Sequence, residues 1–240
     1  EESGLRGSKY YVQNMKKYPA KKVIGVLNFD AVGRLGDKKL FVLSSNSARE
    51  WKFIFMGAGY VTGVEAEMVT QDLDASDQRS FIDAGVPGVQ FFAGANVDYH
   101  KPTDVASKID AAGLVKVATF AREGLLYLAE REGPLTFQGL VATDTKKTQT
   151  AGDRKVSTGS MPDFAFSGEG VRIADLSSDS PAAKGGLQKG DVIIKVGQYN
   201  IANLRDYSEA LKTFQPGNVV EVIYLRDAKA NKTTIELIAK

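Results

Sequence analysis

The sequence predicts an α/β domain followed by a smaller, β-rich one. Two nearly continuous apolar runs, Val23 to Asp30 and Pro87 to Phe92, read as buried strands, and helix-periodic segments alternate with such strands up to about residue 132. Beyond Gly170 the rhythm changes to short β elements. The alternation argues for a three-layer α/β/α sheet and the change of rhythm for a second domain.

Taken in order, Ser3 to Tyr18 reads as a helix with Leu5, Tyr10, Tyr11, Val12 and Met15 inside, stopped by Pro19. The run ending at Asp30 is apolar enough to be a central parallel strand. Gly33 to Asp37 is a turn, Leu40 to Leu43 a short strand, and Ala48 to Gly57 an amphipathic helix whose Trp51, Phe53, Ile54, Phe55 and Met56 read as core. Glu65 to Val69 is a further strand. Ser76 then caps a helix that runs through Phe81 and Ile82, with Asp77 favourable to its dipole. Gly85-Val86-Pro87 ends that helix and launches the next strand. Ile109 to Arg131 is a long helix closed by Gly133-Pro134.

Composition shifts near Thr136, and the polar, threonine-rich stretch Ala142 to Asp153 reads as linker. The expected boundaries are a first domain over 1–134, a linker over 135–155 and a second domain over 156–240. In that second domain, strands are expected around Val171, Val192 to Val196, Val219 to Leu225 and Thr233 to Ile238. Ser180-Pro181 opens a short helix, and Asn203 to Phe214 is another, with Leu204, Tyr207, Leu211 and Phe214 on one face.

Composition excludes several classes. Lys and Arg number 31 against 29 Asp and Glu, a net charge of +2, which leaves no electrostatic footprint for nucleic acid and no polybasic membrane patch. The apolar runs are too short to span a bilayer. Cysteine is absent, so thiolate nucleophiles and Cys-type zinc sites are excluded. The chain opens at Glu1-Glu2 without a methionine, from which an upstream part is expected.

The single histidine, His100, lies just beyond the strand that ends at Phe92, and Asp30 ends the earlier one. Ligands of open α/β sheets bind outside the carboxyl ends of strands, so the two residues could face one crevice. Alone, each residue type is more often structural: a lone histidine is usually a hydrogen-bonded loop residue and a strand-end aspartate a cap.

Four segments together carry a resemblance. Glu1-Glu2-Ser3-Gly4-Leu5-Arg6-Gly7-Ser8, Leu27-Asn28-Phe29-Asp30, Ser76-Asp77-Gln78-Arg79-Ser80-Phe81 with Gly85-Val86-Pro87, and Tyr99-His100-Lys101-Pro102-Thr103-Asp104 resemble the motif series of co-catalytic di-zinc aminopeptidases, over residues 1 to about 132. The resemblance implies a zinc-exopeptidase fold and, in the intact family, two zinc ions. It makes Glu1 the general base that takes a proton from the attacking water, and Glu2 and His100 ligands of one metal. Asp30 becomes a ligand of the other metal, and Tyr99 a hydrogen-bond donor to the oxyanion. Ser76, Asp77 and Asp104 become supporting or capping groups.

The likeness is incomplete. The family's other histidine ligand and its bridging aspartate belong to motifs upstream of the Glu-Glu pair, and this chain has no second histidine. Only Glu2, Asp30 and His100 of five ligands remain, so the chain is expected to be the carboxyl-terminal part of a catalytic domain whose N-terminal strands are missing. Weak or single-site zinc binding and little peptidase activity in isolation follow, and an exposed sheet edge would invite dimerisation or pairing with another chain.

The segment Ser180 to Ile193 and the strands around it resemble a PDZ domain of the bacterial, protease-associated kind, over about residues 156–240. Such domains bind an extended peptide by strand addition, which here would place Phe164, Phe166, Tyr207 and Leu211 at the groove. Pro162 lacks an amide donor and Asp163 would repel a peptide carboxylate, so an architectural role is an equal expectation. The sequence therefore points to a zinc aminopeptidase acting on peptides, with an extracytoplasmic location implied by the family. The rivals are a non-catalytic peptide-binding protein and a metalloamidase with non-peptide substrates.

Overall fold

The apolar run before the sole histidine becomes an interior strand of the first sheet. A computed structural model describes residues 4–70, 76–96, 98–99, 101–139, 154–164, 166 and 168–240. The chain divides into two units, residues 1–143 and 144–240. The first contains α1 (Arg6–Gln13), β1 (Val26–Phe29), β2 (Leu40–Leu43), α2 (Trp51–Thr62), β3 (Ala66–Met68), α3 (Gln78–Asp83), β4 (Gly88–Phe92) and α4 (Ala111–Glu130). Its four strands run in the order β1-β4-β2-β3. Strand β4 is parallel to β1 and antiparallel to β2, and β2 is parallel to β3.

All residues of β4 are buried. Its alternation sends Val89 and Phe91 into a cluster with Trp51, Phe55, Val117 and Phe120, while Gln90 turns the other way, onto Gln78 of α3. Phe91 meets the rings of Phe55 and Phe120 edge-on, at centroid distances of 5.3 and 6.0 Å. Helices α2 and α4 approach closely because Gly124 has no side chain: a Cβ there would lie 2.8 Å from the Phe55 ring. Helix α4 is capped by Asp110, whose carboxylate accepts from Gly113 N and Gly36 N, both at 2.9 Å.

Three expectations shift. Among the described residues strand β1 lies at the end of the sheet, with Phe29 half exposed, where the apolar run predicts a central strand. In α2, Trp51, Ile54, Phe55 and Ala58 are buried at helical spacing, which leaves Phe53 and Met56 on the solvent side. Helix α1 is shorter than read, and it buries Ser8, with Leu5 buried just before it, while Tyr10 and Tyr11 face out. The Ser8 hydroxyl meets that of Ser80 at 2.8 Å, and this contact ties α1 to α3.

Residues 135–138, read as the start of the linker, run along the first unit. Thr136 donates to the Glu50 carboxylate through its amide and hydroxyl, Phe137 bridges to Ala48, and Gln138 N donates to Ser47 O. Residues 140–153 of the expected linker lie outside the described residues.

The second unit contains β5 (Val156–Ser157), β6 (Ser160–Pro162), β7 (Val171–Leu176), α5 (Pro181–Lys184), β8 (Val192–Val196), β9 (Tyr199–Asn200), α6 (Leu204–Lys212), β10 (Val219–Arg226), β11 (Lys229–Glu236) and β12 (Ile238–Ala239). Its main sheet has the antiparallel order β11-β10-β8-β7-β6, with β9 beside β8. Ser180 caps α5 and Asn203 caps α6 through their side-chain oxygens, as their residue types predict. Asp191, 1% exposed, is compensated by Arg226, which donates to both of its oxygens at 2.7 Å.

Candidate functional site

Asp30 follows the carboxyl end of β1, and its carboxylate ends a ring of hydrogen bonds. The parallel register sets Asn28 of β1 beside Gln90 of β4. Asn28 Nδ2 donates to Ser76 Oγ at 2.8 Å and to Gln78 Oε1 at 3.0 Å. Ser76 Oγ in turn donates to Asp30 Oδ2 at 3.0 Å. Gln78 Nε2 donates to Gln90 Oε1, and Gln90 Nε2 donates to Asp30 Oδ2, both at 3.1 Å. Ser76 and Gln78 are fully buried and Gln90 nearly so. Ser76 thus gives its hydroxyl proton to Asp30 and does not cap α3, whose start carries no side-chain cap. Oδ1 of Asp30 has no partner among the described residues. The Oδ1 of neighbouring Asp77 is buried without one.

The loop after β4 is fastened to the turn after β1. Asp98, 7% exposed, takes Arg34 Nη1 on one oxygen and Lys108 Nζ on the other, each at 2.7 Å. The second arm of Arg34 reaches Asp104, so one guanidinium holds residues on both sides of Tyr99. The loop closes on itself as well: Asn96 Oδ1 accepts from Asp98 N at 2.9 Å and Asp98 O from Lys101 N at 2.8 Å. The Lys108 ammonium, then the Thr103 hydroxyl and the Arg34 guanidinium, hold the Asp98 carboxyl well below the usual carboxylate range.

Of the expected site residues, Asp30 is half-buried behind this ring and Tyr99 is exposed at 44% on the fastened loop. Glu1, Glu2 and His100 lie outside the described residues. Among the described residues no group of three or more acidic, histidine or cysteine side chains converges. Asp30 could give a divalent cation one ligand oxygen: Oδ2 accepts from two donors, and Oδ1 has no partner among the described residues. Sequence reasoning missed Asn28, Gln78 and Gln90, Arg34 and Asp98. The available signal was a polar residue inside an apolar run, Gln90 in one strand and Asn28 two positions before Asp30 in the other.

In the second unit, Tyr207 and Leu211 are core residues, 2% and 0% exposed. The Tyr207 hydroxyl lies 2.8 Å from Thr158 Oγ1 and 3.1 Å from Ser160 Oγ, which fastens α6 to the loop before β6. Two amides of that loop already have partners of their own: Gly159 N donates to Ser157 Oγ and Ser160 N to Thr158 Oγ1. Phe164 and Phe166 are half-buried. Asp163 is paired with Arg172 at 2.6 Å, and the Arg172 guanidinium sits 4.6 Å from the Phe166 ring centre. The charge expected to repel a peptide carboxylate is therefore matched within the unit.

Comparison with known proteins now has a geometry to meet. The model of peptidase family M28 matches residues 1–124 and a PDZ domain model matches residues 140–237. Leupeptin-inactivating enzyme 1 of Streptomyces exfoliatus is 39% identical over 108 residues, covering 45% of this chain and 24% of that protein. The serine protease Do-like HtrA of Lactococcus lactis is 38% identical over 68 residues, 28% of this chain and 17% of that one. A probable periplasmic serine endoprotease, DegP-like, of Pseudomonas savastanoi is 36% identical over 66 residues, 28% and 14%. The chain thus spans a quarter or less of the length of these relatives. No helix among the described residues is long and apolar enough to cross a membrane. Since the first model covers just over half of the 240 residues, the chain belongs to peptidase family M28, and a PDZ domain follows its peptidase segment.

Proposed function

We propose that the first unit is the carboxyl-terminal part of a three-layer zinc-exopeptidase domain that removes N-terminal residues from peptides. The observation that carries the reading is Asp30: a strand-end carboxylate oriented by a buried polar ring, with one oxygen open, beside a loop pinned by Arg34. Glu2, Asp30 and His100 would hold zinc. When bound, the metal would polarise the scissile carbonyl and acidify a water. Glu1 would serve as the general base toward water, and Tyr99, exposed on its loop, would donate a hydrogen bond to the oxyanion. Arg34 keeps the Tyr99 loop at a fixed offset from the end of β1. The printed name of the Pseudomonas relative supports an extracytoplasmic setting.

The test is zinc content of the full 240-residue chain after dialysis against a weak chelator, in wild type, Asp30→Ala and His100→Ala. Weak zinc uptake that falls in each variant, since Asp30 and His100 serve different metals, is the expected result, with no release of residues from peptides by this chain alone. Uptake indifferent to both substitutions would overturn the ligand set. Assaying any polypeptide that contains these residues on aminoacyl anilides, their N-acetylated forms and non-peptide amides separates aminopeptidase from other amidase chemistry.

For the PDZ domain, an extended peptide would pair along β6 beside Phe164 and Phe166, with Tyr207 and Leu211 supporting α6 from the core. Pro162 in that edge strand and the self-engaged amides of Gly159 and Ser160 make the pairing weak. Peptide binding that persists after His100→Ala would favour a role for this domain independent of the peptidase site.

A further inference from the structure

We infer that Asn28, Ser76, Gln78 and Gln90 are positioning residues for Asp30, two hydrogen-bond chains that converge on Oδ2 and leave Oδ1 as the oxygen offered to a divalent cation. The inference rests on the reading of Asp30 as a metal ligand and adds the residues that prepare it.

The argument lies in the direction of the donors. An ionised carboxylate only accepts, so Gln90 must turn its nitrogen to Asp30 and its oxygen to Gln78. Gln78 then presents nitrogen to Gln90 and oxygen to Asn28. Ser76 has a single proton, which goes to Asp30, so it too must accept from Asn28. One amide group, Asn28 Nδ2, therefore starts both arms, and every donor along them points toward the same carboxylate oxygen. Such aligned chains polarise each other. Flipping any one amide sets two acceptors or two donors face to face.

Nothing in the fold demands this arrangement. Buried amides are costly to desolvate, and an apolar Gln78–Gln90 contact between α3 and β4 would pack as well. The Ser8–Ser80 hydroxyl pair between α1 and α3 shows what a merely structural polar contact looks like here: closed and directed at no ionisable group.

The experiment measures zinc affinity by calorimetry on the full chain in wild type, Gln78→Met, Ser76→Ala and, as control, Ser8→Ala. Neither Gln78 nor Ser76 is a proposed ligand, yet both substitutions should weaken zinc binding by roughly tenfold or more. Ser8→Ala should lower the unfolding midpoint and leave the affinity unchanged. Zinc binding that requires Asp30 but ignores Gln78 and Ser76 overturns the inference and spares the metal reading. Absence of zinc uptake by the wild type overturns both. Should Gln78→Met fail to fold, the side-chain amide resonances of Gln90 in the wild-type chain decide the matter. Slow exchange with solvent, and movement of both resonances on adding zinc, are expected. Exchange as fast as that of an exposed glutamine overturns the ring.

Discussion

Strand β4 has two faces built of opposite material. One carries Val89 and Phe91 into a cluster with Trp51, Phe55 and Phe120, where rings meet edge-on or stacked. The other carries Gln90 into a closed polar ring with Gln78, Asn28 and Ser76 that ends on Asp30. Both faces are equally dry, since all residues of the strand are buried. The apolar face explains why the sheet and helices hold together. The polar face does not stabilise them better than leucine or methionine would, so its composition answers to something else, the orientation of one carboxylate.

The contrast can be broken hardest from the apolar side. Phe91→Ala should cost about 3–5 kcal/mol of stability, because a buried ring leaves a cavity that Phe55 and Phe120 fill only in part; chemical denaturation of the full chain would read it. Gln90→Leu, its neighbour on the opposite face, should cost about 1–3 kcal/mol, for it strands the Gln78 amide and removes one donor from Asp30. The sharper measurement is the pair together: metal affinity should fall in the Leu variant and survive in whatever fraction of the Ala variant stays folded.

A third change transfers the comparison to the second unit, where a hydroxyl triad has a structural task. Tyr207→Phe removes the link from α6 to Thr158 and Ser160, but those two hydroxyls remain 2.9 Å apart and bond each other. The expected loss is about 0.5–1.5 kcal/mol, with faster amide exchange confined to residues 158–160. If exchange rises across the whole second unit instead, the triad is part of the global core and not a local fastener.

How much of this was legible follows the same division. The strand before His100, the helix over Ala111 to Glu130 and the caps at Ser180 and Asn203 announce themselves through local patterns: an apolar run opened by proline, helical spacing, a short polar residue before a helix. The ring does not, because it exists only once β1 lies in parallel register with β4 and α3 packs across both; Asn28, Gln78 and Gln90 are distant in sequence and each is an ordinary residue by itself. Ser76 departs from its local pattern for a related reason. A serine before a helix satisfies the capping pattern, and only the structure shows its oxygen accepting from Asn28 while its proton goes to Asp30. Tyr10 and Tyr11 depart in the opposite sense: their apolar character predicts them inward, yet Ser8 takes the buried position against Ser80.

The smallest effect belongs to the loop clamp, and pH exposes it. Asp98 has its carboxyl pKa depressed in the folded chain by Lys108, Thr103 and Arg34, with Asp104 sharing the Arg34 guanidinium. A depressed folded pKa contributes stability that is complete above the unfolded value, about 3.9, and is lost as pH falls through the folded one. The urea midpoint of the first unit should therefore hold from neutral pH to about pH 5 and decline below about pH 4. In Lys108→Met the folded pKa rises toward the unfolded value, so less stability is at stake and the decline shallows. In Asp98→Asn this contribution vanishes, and what decline remains belongs to other depressed carboxyls such as Asp110. Equal acid slopes in all three proteins would mean that the Arg34–Asp98–Lys108 contacts do not hold the loop in solution. The proposed positioning of Tyr99 by Arg34 would then lose its physical basis.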